Sequence, residues 1–348
     1  FGSNITALEF WFPIHRPGAP GGCCCSCTLR RILLPTCTMS TQGQGSGAAN
    51  TTEMLHWAQK MFAMMYPEYL RVGPWHPLAR TCLAALILGL VASWRRAFND
   101  AVEAAEKDVV DRGRPLLPSK ALRAVRAVGA LWGCSLLASS FRREGLWPMV
   151  SYTMQSWTLM TTRYVLGVLD LQDSGSSSPV GWRRAASRLH EALRFPSLVQ
   201  NSITVSVWWL VLVPIVLVGY RKDARRRTAF FKFNTSFALL NFHALNLPLA
   251  VADHLLSPRR LLPSDLWLAV ASATAYVLFY LSVLDPRGLH LYIILSPRTK
   301  LSVVSMGSIL ASYWGFHRLW DRAARSALEL QSRAITSEAS TVAHPKTV

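Results

Sequence analysis

Apolar runs of about the length of a bilayer crossing occur from residue 78 to residue 316, and they constrain the fold more than any other feature. A helix rises about 1.5 Å per residue, so roughly 20 apolar residues cross a hydrocarbon core of about 30 Å. The seven candidate runs are 78–94, 124–140, 147–171, 203–220, 232–256, 266–284 and 301–316. They predict an all-α polytopic membrane bundle with six or seven transmembrane helices, in which 78–94 either spans the bilayer or lies at its surface.

The overall composition agrees with a membrane protein. Of 348 residues, 51% are hydrophobic and 16% are charged, whereas a soluble domain has about 25% charged residues. A net charge of +18 on a polar chain would indicate a nucleic-acid partner, but the mean hydropathy here is +0.23. We therefore expect the basic residues to flank membrane segments, and we expect membrane lipids rather than nucleic acid as partners.

Outside the apolar runs the chain is polar or small-residue-rich. We expect residues 1–77 to form an extension that is largely disordered or interfacial, residues 120–320 to form the main membrane domain, and residues 321–348 to form a polar tail, disordered from about Gln331. Loops are expected at 95–123, 172–201 and 221–231.

Cysteine usage gives no sign of a metal site or a disulfide framework. Five of the seven cysteines precede residue 38, and Cys24 and Cys27 form one CxxC without a second ligand pair. We therefore expect neither a metal nor an organic cofactor.

The run 124–140 contains a pair of glycines at the spacing used for close helix packing. Gly129 and Gly133 form a GxxxG pattern, which lets two helix backbones approach closely in lipid. Chance in a run rich in glycine and alanine is an equally good interpretation.

His243 is the best candidate for a functional side chain inside an apolar run. It lies eleven residues after Lys232, about 16 Å along a helix and thus near the middle of the bilayer. Ionisable residues at that depth are costly and usually functional. Asn246 shares its face, whereas Asp253 lies about 15 Å further along and is not expected to contact it.

Thr153 is a candidate partner for His243. The runs 147–171 and 232–256 are separated by one excursion across the membrane and back, so both enter from the same side and Thr153 reaches a similar depth. A hydroxyl beside a neutral imidazole is the smallest nucleophile and base pair. Asn241 or Asn246 would then supply a donor to the oxyanion. Alternatively, Thr153 bonds the preceding turn of its own helix and His243 and Asn246 only link helices.

Three short stretches resemble one known family. HALNLPLAVAD (243–253) is similar to the His-x4-Pro-x4-acidic block of the androgen-induced protein family, which includes the androgen-dependent regulator of tissue factor pathway inhibitor. YTMQSWTLMTTRY (152–164) resembles its threonine-bearing helix, and GLHLY (288–292) resembles its glycine-to-tyrosine turn. Ile293 stands where the family usually has proline. The resemblance covers about residues 120–320.

The resemblance implies a six-helix membrane hydrolase that cleaves fatty acid esters of hydroxy fatty acids, with a threonine nucleophile and a histidine. By position these roles fall on Thr153 and His243, with Thr158 and Ser156 as alternative nucleophiles. The run 78–94 has no counterpart in the six-helix plan. We expect a lipid-ester substrate and location in the endoplasmic reticulum or plasma membrane. The alternative is a non-catalytic multipass protein, such as a lipid-binding or transport module or an assembly subunit.

Overall fold

The computed structural model describes residues 68–111, 115–170, 181–292 and 295–342, and the regular elements in these residues are all helical. The expectations for residues 1–67, including the N-terminal cysteines, lie outside the described residues, as do Ile293 and the end of the tail.

The α-helices are numbered in chain order after a first turn at Glu68–Arg71. They are α1 (Pro77–Asp111), α2 (Ser119–Glu144), α3 (Tyr152–Asp170), α4 (Gly181–Ala192), α5 (Arg194–Ser206), α6 (Val213–Gly219), α7 (Ala224–Asn234), α8 (Phe237–Leu240), α9 (Asn246–Leu256), α10 (Pro263–Phe279) and α11 (Leu301–Val342). Three π-helical segments continue from α5, α8 and α10, at Val207–Leu212, Asn241–Leu245 and Tyr280–Leu284. Short 3-10 helices lie at Trp147–Val150 and Asp285–Arg287.

Within the described residues, four stretches of helix are long and apolar enough to cross a membrane. They are Pro77–Ala97, Lys120–Arg142, Ala185–Gly219 and Pro263–Arg287. The pair Ala224–Asn234 and Phe237–Leu256, bent by 62°, would make a fifth if it is one broken span. The all-helical class and the membrane character are thus confirmed at the level of four or five candidate spans.

The described part of the run 147–171 is mainly helical and the run 301–316 is helical, but neither meets the same test of length and hydropathy. The low hydropathy of the run 147–171 is explained by its surroundings, because α3 packs against α2, α4 and α5. Side chains such as Trp157, Met160 and Arg163 are buried on it. A helix that faces protein on several sides can carry polar groups that lipid would not accept.

Several expected loops are helical instead. Helix α1 continues through charged sequence to Asp111, the span at Ala185–Gly219 begins inside the expected 172–201 loop, and α11 extends past Gln331 to Val342. Polar composition indicates exposure to water but does not end a helix. Alanine, glutamate, lysine and arginine are strong helix formers, and the extensions of α1 and α11 contain no proline. The extension before residue 203 contains Pro196, which lies in the first turn of α5, where a helix tolerates proline.

The two glycines of the GxxxG pattern face α3. A Cβ atom added to Gly133 would overlap Thr161 Oγ1, and one added to Gly129 would lie 2.6 Å from the Tyr164 ring. Both positions are closer than van der Waals contact, so only glycine allows α2 and α3 to approach this closely.

We expect Gly133→Ala to lower the free energy of unfolding in detergent micelles by about 1–3 kcal/mol, because the added methyl group overpacks the α2–α3 contact. Gly89→Ala on α1 is the matched control, since apart from the adjacent backbone of its own helix no atom lies within 4 Å of the position its Cβ would take, and it should be neutral or slightly stabilising. Equal stability changes in the two variants would contradict the close contact.

A buried ionic cluster joins three helices. Asp253 on α9 accepts a hydrogen bond from Arg126 Nε of α2 at 2.9 Å and another from Arg163 Nε of α3 at 2.6 Å. All three side chains are at most 4% exposed. Arg163 also donates to the carbonyl of His190 on α4, and Arg126 donates to Ser257 Oγ just after α9.

We expect Asp253→Ala to cost about 3–5 kcal/mol of folding free energy, because it leaves two buried guanidinium groups without their carboxylate. Arg226→Gln removes a half-exposed ion pair to Asp223 and should cost about 1 kcal/mol or less. Chemical denaturation of both variants in micelles measures the difference, and a cost below that of Arg226→Gln would refute the role given to Asp253.

Candidate active site

Thr153 lies in the first turn of α3. The preceding residue, Tyr152, begins the helix, and Ser151 caps it by accepting the Met154 amide hydrogen at 3.2 Å on its side-chain oxygen. The first turn of a helix carries partial positive charge from its unpaired amide groups. Because Thr153 lies in this first turn, negative charge on or near its side-chain oxygen is favoured.

His243 lies in the middle of the π-helical segment Asn241–Leu245. Single π-helical turns are uncommon and often occur at functional sites. The imidazole stacks on the Trp208 ring, with centroids 3.9 Å apart and planes at 23°. Trp209 Nε1 donates to the His243 carbonyl. Both tryptophans belong to a second π-helical segment, Val207–Leu212, so two irregular turns meet at this histidine.

The structure brings Thr153 and His243 into contact. Thr153 Oγ1 lies 3.5 Å from His243 Nε2, and both side chains are half-buried. The separation is at the long end for a hydrogen bond, as is common in unliganded catalytic sites, which tighten when substrate binds. If the ring proton is on Nδ1, Nε2 can accept the proton of the threonine hydroxyl.

A second contact shows that the two helices run parallel over this length. Arg163 and Asp253 are each ten residues beyond Thr153 and His243, and they form an ion pair at 2.6 Å. Ten residues correspond to about 15 Å of helix. Asp253 is therefore held at the far end of the same helix pair, as predicted, and does not contact the imidazole.

The Nδ1 atom of His243 is buried and meets no hydrogen-bond partner with good geometry among the described residues. The carbonyl of Leu239, one turn earlier, interacts with the ring. This part of the chain therefore provides a threonine and histidine dyad whose imidazole is oriented by an aromatic face and a backbone carbonyl instead of a carboxylate.

The two asparagines considered as oxyanion donors are occupied elsewhere. Asn241 accepts from Trp132 Nε1 at 3.0 Å and donates to the Phe237 carbonyl at 2.7 Å. Asn246 donates to Asn201 Oδ1 at 2.9 Å. Neither amide hydrogen bonds to Thr153 or His243 in the described part of the chain, so both act in helix packing.

The alternative nucleophiles point away from the imidazole. Ser156 is fully buried, donates to the Thr153 carbonyl at 2.8 Å and lies 3.4 Å from Thr204 Oγ1. Thr158 donates to the Met154 carbonyl at 2.8 Å. Both hydroxyls bond the preceding turn, which is the usual arrangement in a spanning helix. Of the hydroxyls weighed from the sequence, Thr153 is the one beside His243.

Tyr292 belongs to the same site, although sequence reasoning gave it no role. Its phenolic oxygen accepts the Tyr152 amide hydrogen at 3.0 Å and interacts with the backbone and hydroxyl of Thr153. The available signal was the GLHLY stretch, in which Tyr292 is the final residue. Nothing in its spacing indicated that a loop 139 positions after Thr153 would return to it.

Two further findings bear on this site: a search for metal-binding groups and a comparison of the chain with known proteins. In the described residues, no group of three or more His, Cys, Asp or Glu side chains is arranged to hold a metal ion. Comparison of the chain with protein-family models, curated proteins and solved structures finds no match.

The packing role of the asparagines can be measured with a double-mutant cycle. Because Asn246 Nδ2 bonds Asn201 Oδ1 in a buried position, Asn201→Ala and Asn246→Ala should each destabilise the protein and should couple by about 0.6–1.5 kcal/mol. Unfolding of the two single variants and the double variant in micelles gives the coupling. Strict additivity would show that the amide pair contributes nothing.

Proposed function

We propose that this protein is an integral membrane lipid-ester hydrolase with Thr153 as nucleophile and His243 as general base. The observation that carries the proposal is the 3.5 Å contact between Thr153 Oγ1 and His243 Nε2. Two residues 90 positions apart meet there at the start of a helix, and their side chains form a nucleophile and base pair. The hypothesis drawn from the sequence had named these same two residues.

The reaction follows from the chemistry of the pair. Thr153 Oγ1 attacks the ester carbonyl while His243 Nε2 takes its proton, and the tetrahedral intermediate places negative charge on the former carbonyl oxygen. Collapse of this intermediate expels the alcohol, which receives the proton from His243. Water, deprotonated by the same imidazole, then releases the acid from Thr153. The sum is one ester and one water giving one acid and one alcohol.

The residues around His243 stabilise the protonated imidazole that these reaction steps require. The Trp208 ring lies face to face with His243, and an aromatic face attracts a cation. The first turn of α3, where Thr153 lies, favours the negative charge that develops on the carbonyl oxygen of the substrate. These two features stabilise the separated charges without a carboxylate at Nδ1.

We further propose that the chain belongs to the androgen-induced protein family and cleaves fatty acid esters of hydroxy fatty acids. This rests on the HALNLPLAVAD, YTMQSWTLMTTRY and GLHLY stretches. Counting α3 and the first part of α11 together with the candidate spans gives the six or seven crossings expected from the sequence. We propose the endoplasmic reticulum or the plasma membrane as its location.

Labelling with a fluorophosphonate probe tests the proposed function. In membranes containing the expressed protein, wild type should be labelled, and Thr153→Ala and His243→Ala should each slow labelling by about 10³-fold or more. Thr158→Ala is the matched control, because its hydroxyl bonds the Met154 carbonyl, and it should label at the wild-type rate.

Each other outcome excludes part of the proposal. Absence of labelling and of ester hydrolysis in folded wild type would favour the non-catalytic alternative, a lipid-binding, transport or assembly role. Labelling that persists in Thr153→Ala would exclude Thr153 as the nucleophile.

A further inference from the structure

Within the described part of the chain, the site lacks an obvious donor for the oxyanion once the asparagines are assigned to packing. A preorganised donor near the developing charge is usually the largest single contribution to acyl transfer. Among the described residues that contact Thr153, Tyr292 presents a polar hydrogen that backbone bonding does not already use. Three observations bear on whether that hydrogen is available.

The first observation is where the phenolic oxygen sits. It accepts the amide hydrogen of Tyr152, the residue directly before Thr153, at 3.0 Å. Because this amide lies in the first turn of α3, the oxygen is held against the positive end of the helix. Accepting a hydrogen bond polarises the phenol and makes its own O–H a stronger donor.

The second observation is that the side-chain acceptors next to this proton are neutral hydroxyls. Tyr276 donates its own proton to the Val150 carbonyl at 3.0 Å, and the Tyr280 hydroxyl lies at the Tyr292 backbone. The Tyr276 and Thr153 hydroxyl oxygens are the side-chain acceptors beside the Tyr292 proton, and an ester oxygen that gains negative charge is a stronger acceptor than either. Burial raises the pKa of the Tyr292 phenol, although bonds from the Tyr152 amide work against this, so the proton is present at neutral pH.

The third observation is that Tyr292 is held rigidly. The Tyr280 hydroxyl donates to the Tyr292 carbonyl at 3.2 Å and accepts its amide hydrogen at 3.3 Å. The surrounding loop is closed by Arg298, whose two terminal nitrogens bind the two oxygens of Asp285 at 2.7 and 2.8 Å. His290 lies 3.3 Å from the same carboxylate. A phenol fixed in this way has to rotate only its O–H bond when the substrate binds.

From these contacts we propose that Tyr292 is a further catalytic residue, which donates its phenolic O–H to the carbonyl oxygen of the ester as Thr153 attacks. The inference rests on the proposed function. In the unliganded protein the phenol faces the Thr153 hydroxyl. When an ester is bound, the O–H turns to the substrate oxygen, which becomes the stronger acceptor as negative charge develops on it.

Tyr292→Phe is the test, since it removes one oxygen and keeps the ring. Purified protein in nanodiscs is assayed with a fatty acid ester of a hydroxy fatty acid, and rates are normalised to the number of sites that a fluorophosphonate labels at completion. We expect kcat per site to fall about 10²–10³-fold, with KM within about threefold. Affinity for a trifluoromethyl ketone analogue of the substrate should fall by the same factor as kcat/KM.

Tyr313→Phe is the matched control. The Tyr313 hydroxyl bonds the Tyr152 hydroxyl at 2.7 Å and does not contact Thr153. Tyr313→Phe therefore makes the same chemical change beside Tyr152, the residue before Thr153. We expect kcat per site within about twofold to threefold of wild type.

The outcomes separate this inference from the proposed function. If wild type hydrolyses esters and labels, but Tyr292→Phe keeps kcat per site and ketone affinity within threefold, the role of Tyr292 is wrong while the dyad stands. A fall only in the number of labelled sites would assign Tyr292 to folding and would also overturn it. If wild type neither labels nor hydrolyses, both proposals fail together.

Discussion

The ionic cluster around Asp253 is the interaction on which the candidate site depends most. Burying a carboxylate is costly unless charge and hydrogen bonds compensate it, and here two arginines from different helices do so. The cluster binds α9 to α2 and α3, and α3 carries Thr153. Since α9 continues from the π-helical segment that carries His243, this contact sets the register of Thr153 against His243. The other end of the helix pair is held by a different set of contacts, in which Trp208 stacks on the imidazole and Tyr292 holds the first turn of α3.

Irregular backbone completes the site at that end. A π-helical turn contains an extra residue and rotates the side chains that follow. The irregular turns at Val207–Leu212 and Asn241–Leu245 therefore place an aromatic ring and an imidazole face to face in the middle of otherwise regular helices. Nothing in the local sequence distinguishes a π-helical turn from an α-helical one around His243. The roles of Asn241 and Asn246 likewise depend on partners far away in the chain, at Trp132 and Asn201.

Much of the remaining arrangement could be predicted from the sequence, because it depends on helical periodicity and on the cost of polar groups in lipid. These two principles predict the all-helical class, most of the candidate spans and the separation of Asp253 from His243. They allow a contact between Thr153 and His243 as one of two alternatives, and the family resemblance is what selects this pair. The polarity of α3 is harder to interpret from the sequence, because its polar side chains contact other helices, α2, α4 and α5, rather than lipid. A hydropathy pattern does not contain these contacts. Helix ends were also misjudged, because charged residues after 94 and after 330 were interpreted as loop or tail although they favour helix.

A dyad without a carboxylate is a reasonable design for this location. A third, negatively charged group at Nδ1 would itself have to be buried and compensated, as Asp253 is by two arginines. In the proposed reaction, an aromatic face and a helix terminus would stabilise the imidazolium and the oxyanion with a quadrupole and dipoles, which carry no net charge and are less costly to bury. The separation of the Asp253 carboxylate from the His243 imidazole by ten residues of helix thus places the buried charge in helix packing and keeps it away from the Thr153 and His243 contact.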